Sequence, residues 1–400
     1  MILGDHAVFG GWIARAQTLL AGAVDSSERG WVALNLGMFE GDRARKERYF
    51  HEALDVARDR GDPDLEFVTL AYLGASLVHD DRTEEGMVLL DEALAAVVGS
   101  EGDDFCVLEE IFCQLVAACE HAHDVTRADQ WIRIGDAIAE RRRLPAVSAF
   151  CHTYYGGVLT TAGRWAEADV ALTEAVRLWD LGQRAGLRRG ALIRLADLRA
   201  RQGRLEEAEQ LLHDIDVDAE PEAARPLAAI HMTRGATSLA ADVLERALAR
   251  LDPTSTATAP LLAALVDVHL AADRCDLADA AADQLETCAA RHGTDYLTGV
   301  AALARGRVCV AAGTGDPRAC LREALTGFAR AQMPLEVARS RFELATALIT
   351  QEPQVALAEA QAAHDAFERL QAAREADAAA AHSCGPWARA PRSEAGRQAG

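Results

Sequence analysis

The stretch Gly163-Arg164-Trp165-Ala166-Glu167-Ala168, followed by Leu172, Ala175 and Val176, decides the fold. Gly163 and Arg164 mark a tight turn. Small and apolar residues then return at spacings of four and three, which puts them on one helical face. The same order recurs as Gly203-Arg204-Leu205-Glu206-Glu207-Ala208 with Leu212 and Ile215, and as Asp81-Arg82-Thr83-Glu84-Glu85-Gly86 with Leu90, Ala93 and Leu94. Marking the last small or apolar residue of each copy gives Ala53, Ala93, Gly135, Ala175, Ile215, Ala247, Leu285, Ala324 and Ala363. Successive gaps are 40, 42, 40, 40, 32, 38, 39 and 39 residues. Periods of roughly 20 to 50 residues mark solenoids or propellers. Alternating β-branched runs and Asn-Gly or Asp-Gly hairpin turns are missing, so the repeating unit is a pair of helices.

A further helix precedes each turn and carries its own apolar stripe, as in Leu70, Leu73, Gly74 and Leu77, or Leu192, Leu195 and Ala196. Small residues facing one another let two helices approach closely while larger neighbours fill the remaining space. The expected pairings are Gly74 with Gly86 and Gly156 with Ala168.

These residues resemble the tetratricopeptide repeat. The resemblance is carried by Leu73-Gly74, Leu77, Leu90 and Ala93-Leu94, and by Gly156, Leu159, Gly163, Trp165, Ala168, Leu172 and Ala175. It implies an all-α, right-handed solenoid of antiparallel helix pairs, here with a period of about 40 against the usual 34 or so. The expected organisation is a half-repeat helix over 1–25, about nine helix pairs over 26–370, and a helix end with a disordered tail over 371–400. Residues 301–330 fit least well, because Pro317 falls where a small helical residue is expected. It fits instead in the first turn of a helix, where proline is tolerated.

Half of the residues are apolar but only 5% are aromatic, which suits close helix packing more than one large core. The net charge of −21 opposes a phosphate backbone, so direct nucleic-acid binding is not expected. Nine cysteines without a Cys-x-x-Cys pair read as buried thiols of a reducing cytoplasm. The N-terminus lacks the basic region of a signal peptide, and no apolar run of about 18 residues exists, so no membrane association is expected.

Motifs for chemistry are scarce. Lys46 is the only lysine and follows no glycine pattern, which excludes a P-loop. Gly313-Thr314-Gly315-Asp316 lacks the third glycine and preceding strand of a dinucleotide site and reads as an interhelical turn. Gly-x-Ser-x-Gly and His-Glu-x-x-His are absent. Glu120-His121-Ala122-His123-Asp124 is the densest set of metal-ligand types, but a closed site there needs another segment, and a polar turn is the simpler reading. No catalytic residue, metal site or cofactor is expected.

Ligand contacts are expected on the first helix of each pair, which lines the concave side in the tetratricopeptide family. Transferred by register, the candidates are Trp31, Asn35, Tyr72, Gln114, Tyr154, Arg194, Asp197 and Arg201, with Ala75, Ala117 and Gly157 between them. The family's peptide-carboxylate clamp uses asparagines and lysines; Asn35 stands alone and no lysine is near. Tyr72 and Tyr154 either offer stacking faces or pack between helices. Arg184, Arg188, Arg189, Arg194, Arg199, Arg201 and Arg204 make a locally basic segment. It meets either an anionic ligand or the carboxylates of a neighbouring repeat. Asp25 and Glu28 read as a capping box, and the helix before them exposes Trp12 or Phe9, a surface for a partner.

Gly30-Trp31-Val32-Ala33-Leu34, Ala57-Arg58-Asp59-Arg60-Gly61-Asp62, Ala117-Ala118-Cys119-Glu120, Tyr154-Tyr155-Gly156-Gly157-Val158-Leu159 and the two Gly-Arg turns resemble the repeat region of LuxR-type, MalT-like transcription regulators. That resemblance implies a non-catalytic module sensing a protein or small-molecule effector. The family's NTP-binding domain and helix-turn-helix are not recognisable in these residues. The alternative is a stand-alone scaffold holding a partner's peptide or helix.

Overall fold

The computed structural model describes residues 6–22, 26–99, 105–142, 149–181 and 185–384. Twenty α-helices and two short 3-10 turns make up its regular structure, and no strand occurs among the described residues. The chain divides into two compact units, Met1–Leu159 with Ala166–Leu195 and Thr160–Trp165 with Ala196–Gly400.

The first unit runs through α1 (His6–Leu20), α2 (Glu28–Phe39), α3 (Arg43–Arg60), α4 (Pro63–His79), α5 (Thr83–Gly99), α6 (Phe105–Ala122) and α7 (Val125–Arg142). It also takes most of α8 (Ala149–Thr161), α9 (Trp165–Leu181) and α10 (Ala185–Arg201). The end of α10 opens the second unit, followed by α11 (Leu205–Leu212), α12 (Ala224–Thr233), α13 (Thr237–Leu248), α14 (Ala259–Ala271), α15 (Cys275–His292) and α16 (Asp295–Ala312). After these come α17 (Pro317–Arg330), α18 (Pro334–Leu348), α19 (Pro353–Arg369) and α20 (Ala373–Cys384). Consecutive helices pack against one another from α1 to α7 in the first unit and from α11 to α20 in the second. Alternate helices also meet, α2 with α4 and α4 with α6 in the first, and α12 with α14, α14 with α16 and α16 with α18 in the second. Each unit is thus a helical solenoid in which the first helices of successive pairs form one layer.

A single turn design joins the two helices of most pairs. Its residue in the left-handed region is Asp81 (φ 64°), His123 (φ 55°), Gly163 (φ 80°), Gly203 (φ 77°), Gly235 (φ 73°) or Asp273 (φ 55°). The next amide reaches back to close the preceding helix, as Arg82 N to the Leu77 carbonyl at 2.8 Å and Arg204 N to the Arg199 carbonyl at 2.8 Å. This is the Schellman closure, and glycine, aspartate and histidine are among the residues that tolerate its backbone. His123 of the ligand-like cluster is such a turn residue. Its neighbour His121 instead stacks on His79 at 4.8 Å between ring centroids and lies 3.5 Å from Asp81.

The small residues act where the period places them. A Cβ on Gly74 would come within 2.8 Å of the Gly86 carbonyl oxygen and of Leu90. Gly299 and Gly327 make a second such crossing between α16 and α17, where a Cβ on Gly327 would lie 2.9 Å from the Gly299 amide. At Gly156 the nearest atoms that such a Cβ would meet all belong to Leu172, one turn beyond Ala168. Seven of the nine markers are buried to 1% or less, namely Ala53, Ala93, Ala175, Ala247, Leu285, Ala324 and Ala363. Ile215 falls beyond the end of the eight-residue α11, which explains the gap of 32. Pro317 opens α17 behind Asp316, whose side chain accepts from the Arg318 and Ala319 amides at 3.1 and 3.4 Å. The poorly matching segment is therefore an ordinary helix pair.

At the ends, Trp12 is 65% exposed on α1, whereas Phe9 packs edge-on against Phe39 at 4.4 Å. Asp25 lies outside the described residues, and the Glu28 carboxylate meets Ser26. Helix α20 continues to Cys384, and the tail after it lies outside the described residues.

Placing a methyl at the tightest crossing tests this packing. Gly86→Ala is expected to destabilise the α4–α5 hairpin by about 1–3 kcal/mol. Hydrogen exchange of the Gly74–Leu90 amides measures it. Gly10→Ala, which meets nothing within 4 Å on α1, is the neutral control.

Candidate functional site

Ionisable side chains face inward from the first helices of the second unit. Asp197 and Arg201 on α10, Arg225 on α12, Asp267 on α14, Tyr296 and Arg307 on α16, Glu336 and Arg339 on α18 and Glu375 on α20 line one groove of about 500 Å³. Ala200, Ala228, Ala263, Ala264 and Ala304 supply its small apolar wall. That volume falls in the range of ligand sites, roughly 300–1,000 Å³.

The charges alternate in sign. Arg225 Nη2 donates to Asp197 Oδ2 at 2.6 Å, and Arg201 Nε donates to the same oxygen at 2.9 Å. Arg201 Nη1 lies 4.0 Å from Glu336 Oε1, which accepts from Arg339 Nη1 at 2.8 Å. Arg339 Nη2 then reaches Glu375 Oε1 at 2.6 Å. A second row runs from Asp267 through Arg307 to Glu343, with both bonds at 2.8 Å. Burial alone would raise the Asp197 carboxyl, but Arg225 and Arg201 outweigh it and hold it below the usual carboxylate range. Burial opposes ionisation of Glu336 too, and Arg339, Arg201 and Arg307 prevail there. Burial pushes the Tyr296 hydroxyl up to about 12.

The other sequence candidates lie in the first unit and fall into three groups. Tyr72 donates to Glu110 Oε2 at 2.5 Å, beside Gln114. Burial first, and then the Glu110 carboxylate, push its hydroxyl far above the usual tyrosine value. Arg194 forks onto Glu120, with Nε donating to Oε1 at 2.7 Å and Nη2 to Oε2 at 2.5 Å, while its guanidinium lies 4.5 Å over the Tyr154 ring. Gly157 makes that pair fit, since a Cβ there would occupy the place of the Glu120 carboxylate. Trp31 donates to Asp62 at 3.3 Å, and the Asn35 amide bonds to the Trp31 carbonyl of its own helix at 2.8 Å. The basic segment is therefore met by carboxylates: Arg188 by Asp180 at 2.6 Å, Arg204 by Glu207 at 2.6 Å, and Arg194 and Arg201 as above. Arg184 lies outside the described residues.

Sequence reading reached only Asp197 and Arg201 of the charged groove. Arg225, Asp267, Tyr296, Arg307, Glu336, Arg339 and Glu375 were legible in principle by carrying the register onward. Tyr296, Glu336 and Glu375 stand 40 and 39 residues apart, and Asp267, Arg307 and Glu343 stand 40 and 36 apart. Among the described residues no group of three or more metal-ligating side chains is arranged for a metal ion, and no helix is long and apolar enough to cross a membrane. Cys113 and Cys151 are buried, with their sulfurs 3.3 Å apart.

No protein-family model matches the sequence, and no curated protein matches it. Solved structures do share the fold. A Rap protein complexed with Competence and Sporulation Factor aligns with a TM-score of 0.50 at 10% identity, over 80% of this chain and 96% of that one. The apo quorum sensor NprR from B. thuringiensis aligns at 0.53 and 13% identity, over 92% and 98%. A human IFIT1 dimer with PPP-AAAA aligns at 0.47 and 14%, over 90% and 95%.

Asp197→Asn keeps the shape and removes the charge that two arginines share. It is expected to cost about 3 kcal/mol at neutral pH, because buried guanidinium charge is left under-compensated. The Asp197 carboxyl is lowered in the folded chain. Its contribution is therefore complete above the ordinary carboxylate range near about 4 and is lost as pH falls through that range toward the folded value. Acid unfolding followed by circular dichroism is expected to be less pH-dependent in the variant than in the parent.

Proposed function

We propose that the chain is a non-catalytic ligand-binding module whose second unit takes a short linear peptide or partner segment in the charged groove. The observation that carries this reading is the alternation of arginines and carboxylates along the inner helices. Each inner member of the row is compensated by neighbours of opposite sign. A linear ligand with donors and acceptors along its length can exchange those pairs one at a time, leaving no buried charge alone. The alanine wall leaves room for an extended backbone. Arginines hold the carboxyls of Asp197 and Glu336 below the usual carboxylate range, so neither offers a proton at neutral pH, whereas burial raises that of Asp267. The Rap complex shows that this fold can carry a bound factor.

The finer reading is the sensory part of a LuxR-type regulator in a reducing cytoplasm, supported by the Gly-Arg turns and the other quoted motifs and by the buried thiols. Ligand exchange along the groove would re-pair charges on successive helices and shift a population of shapes. A stand-alone scaffold would use the same groove. A second contact surface is proposed on α1, where Trp12 and Leu19 are 65% and 71% exposed.

Selection of a displayed random linear-peptide library on the full chain tests the groove. Enriched peptides are expected to bind with micromolar or tighter Kd and to lose about tenfold or more with Arg307→Gln. Peptides that bind Arg307→Gln and Asp197→Asn unchanged would contradict the groove assignment.

A further inference from the structure

The longer charge row has two ends, and they differ. Its order is Arg225, Asp197, Arg201, Glu336, Arg339, Glu375, from α12 and α10 across α18 to α20. Each inner member has a partner of opposite sign on both sides. Each terminal member has only one. Arg225 makes a single hydrogen bond, through Nη2 to Asp197, so its remaining donors have no acceptor among the described residues. Its side chain is 32% exposed, open to the groove. At the other end, Glu375 gives Oε1 to Arg339, while its Oε2 is buried and has no hydrogen-bond partner among the described residues. A buried carboxylate oxygen without a donor is costly, and a guanidinium with free donors is a ready seat for a carboxylate.

The row is therefore polarised. At one end Arg225 and Arg201 share the single carboxylate of Asp197, leaving an excess of positive charge. At the other end Glu336 and Glu375 share the single guanidinium of Arg339, leaving an excess of negative charge. The alanine wall and Tyr296 lie in the same groove. Tyr296 keeps its proton to about 12, so it adds no charge at neutral pH.

We propose that the groove reads both termini of a short unmodified linear peptide, seating its C-terminal carboxylate at Arg225 and its N-terminal ammonium at Glu375. This rests on the reading of the groove as a peptide site and adds to it a ligand class and a direction. The carboxylate pairs with the open face of the Arg225 fork, with Arg201 beside it. The ammonium supplies the donor that Glu375 lacks, after a small rotation of the carboxylate toward the groove. A ligand with both ends free satisfies the whole row. One with a capped end leaves one terminus of the row as it is in the empty groove.

The test uses the full chain and four versions of one random linear hexapeptide library: both termini free, N-acetylated, C-amidated, and both capped. Retention is read by affinity-selection mass spectrometry. The free library is expected to be retained best. Either cap is expected to reduce retention about tenfold, and both caps more. Arg225→Gln is expected to abolish discrimination against the amide but not against the acetyl cap, and Glu375→Gln the reverse. Because each variant serves as its own control for the other terminus, retained discrimination at that terminus reports an intact groove. Equal retention of free and capped libraries by the parent chain would overturn the direction and the terminal contacts while leaving the peptide site standing. Retention of no library would overturn both.

Discussion

Close approach of two helix backbones, once per helix pair, is the constraint on which the rest of the structure depends. At Gly74 and Gly86, and again at Gly299 and Gly327, no side chain separates the crossing helices, and backbone meets backbone. Elsewhere a small residue faces a large one, as Gly156 faces Leu172 and Gly306 faces Leu321. Packing at fixed separations repeats the same step, so residues one period apart arrive at equivalent places on successive first helices. The polar pairs carry that period in their own numbering: the Tyr72–Glu110 hydrogen bond spans 38 residues, and the ion pairs of Asp267 with Arg307 and of Arg339 with Glu375 span 40 and 36.

This arithmetic explains why charge can gather on an inner face. A lone arginine placed among alanines would lose hydration with nothing in return. Set one period from a carboxylate, it meets a partner on the neighbouring helix. The outward pairs, such as Arg82 with Glu85 and Arg204 with Glu207, sit on solvated turns and contribute little to stability. The inner pairs share carboxylates and are shielded from water, so they matter more both to the fold and to what the groove admits.

Much of the fold was legible because its signals are local. The Gly-Arg turn, the small residue four positions later and the apolar stripe on each side are all read within about twenty residues. Pro317 and Ile215 show where local reading strains. The first is a helix start that mimics a helix breaker, and the second is a hydrophobic residue of a turn after a short helix. The site was less legible because its partners are distant in sequence. Arg194 was named by register alone, but its partner Glu120, 74 residues earlier, could be assigned to it only from the structure. Asp197 and Arg201 were reached by register, yet the pairing of Asp197 with Arg225 depends on the short α11 and α12, which shift the period at that step.

The most direct measurement is nuclear magnetic resonance of the arginine guanidinium groups in the full chain, with and without a linear peptide selected on it. Binding within the second unit's groove predicts that the resonances of Arg201, Arg225, Arg307 and Arg339 shift on peptide addition while that of Arg194 does not. Shifts confined to Arg194 and other arginines of the first unit, with those four unmoved, would contradict it.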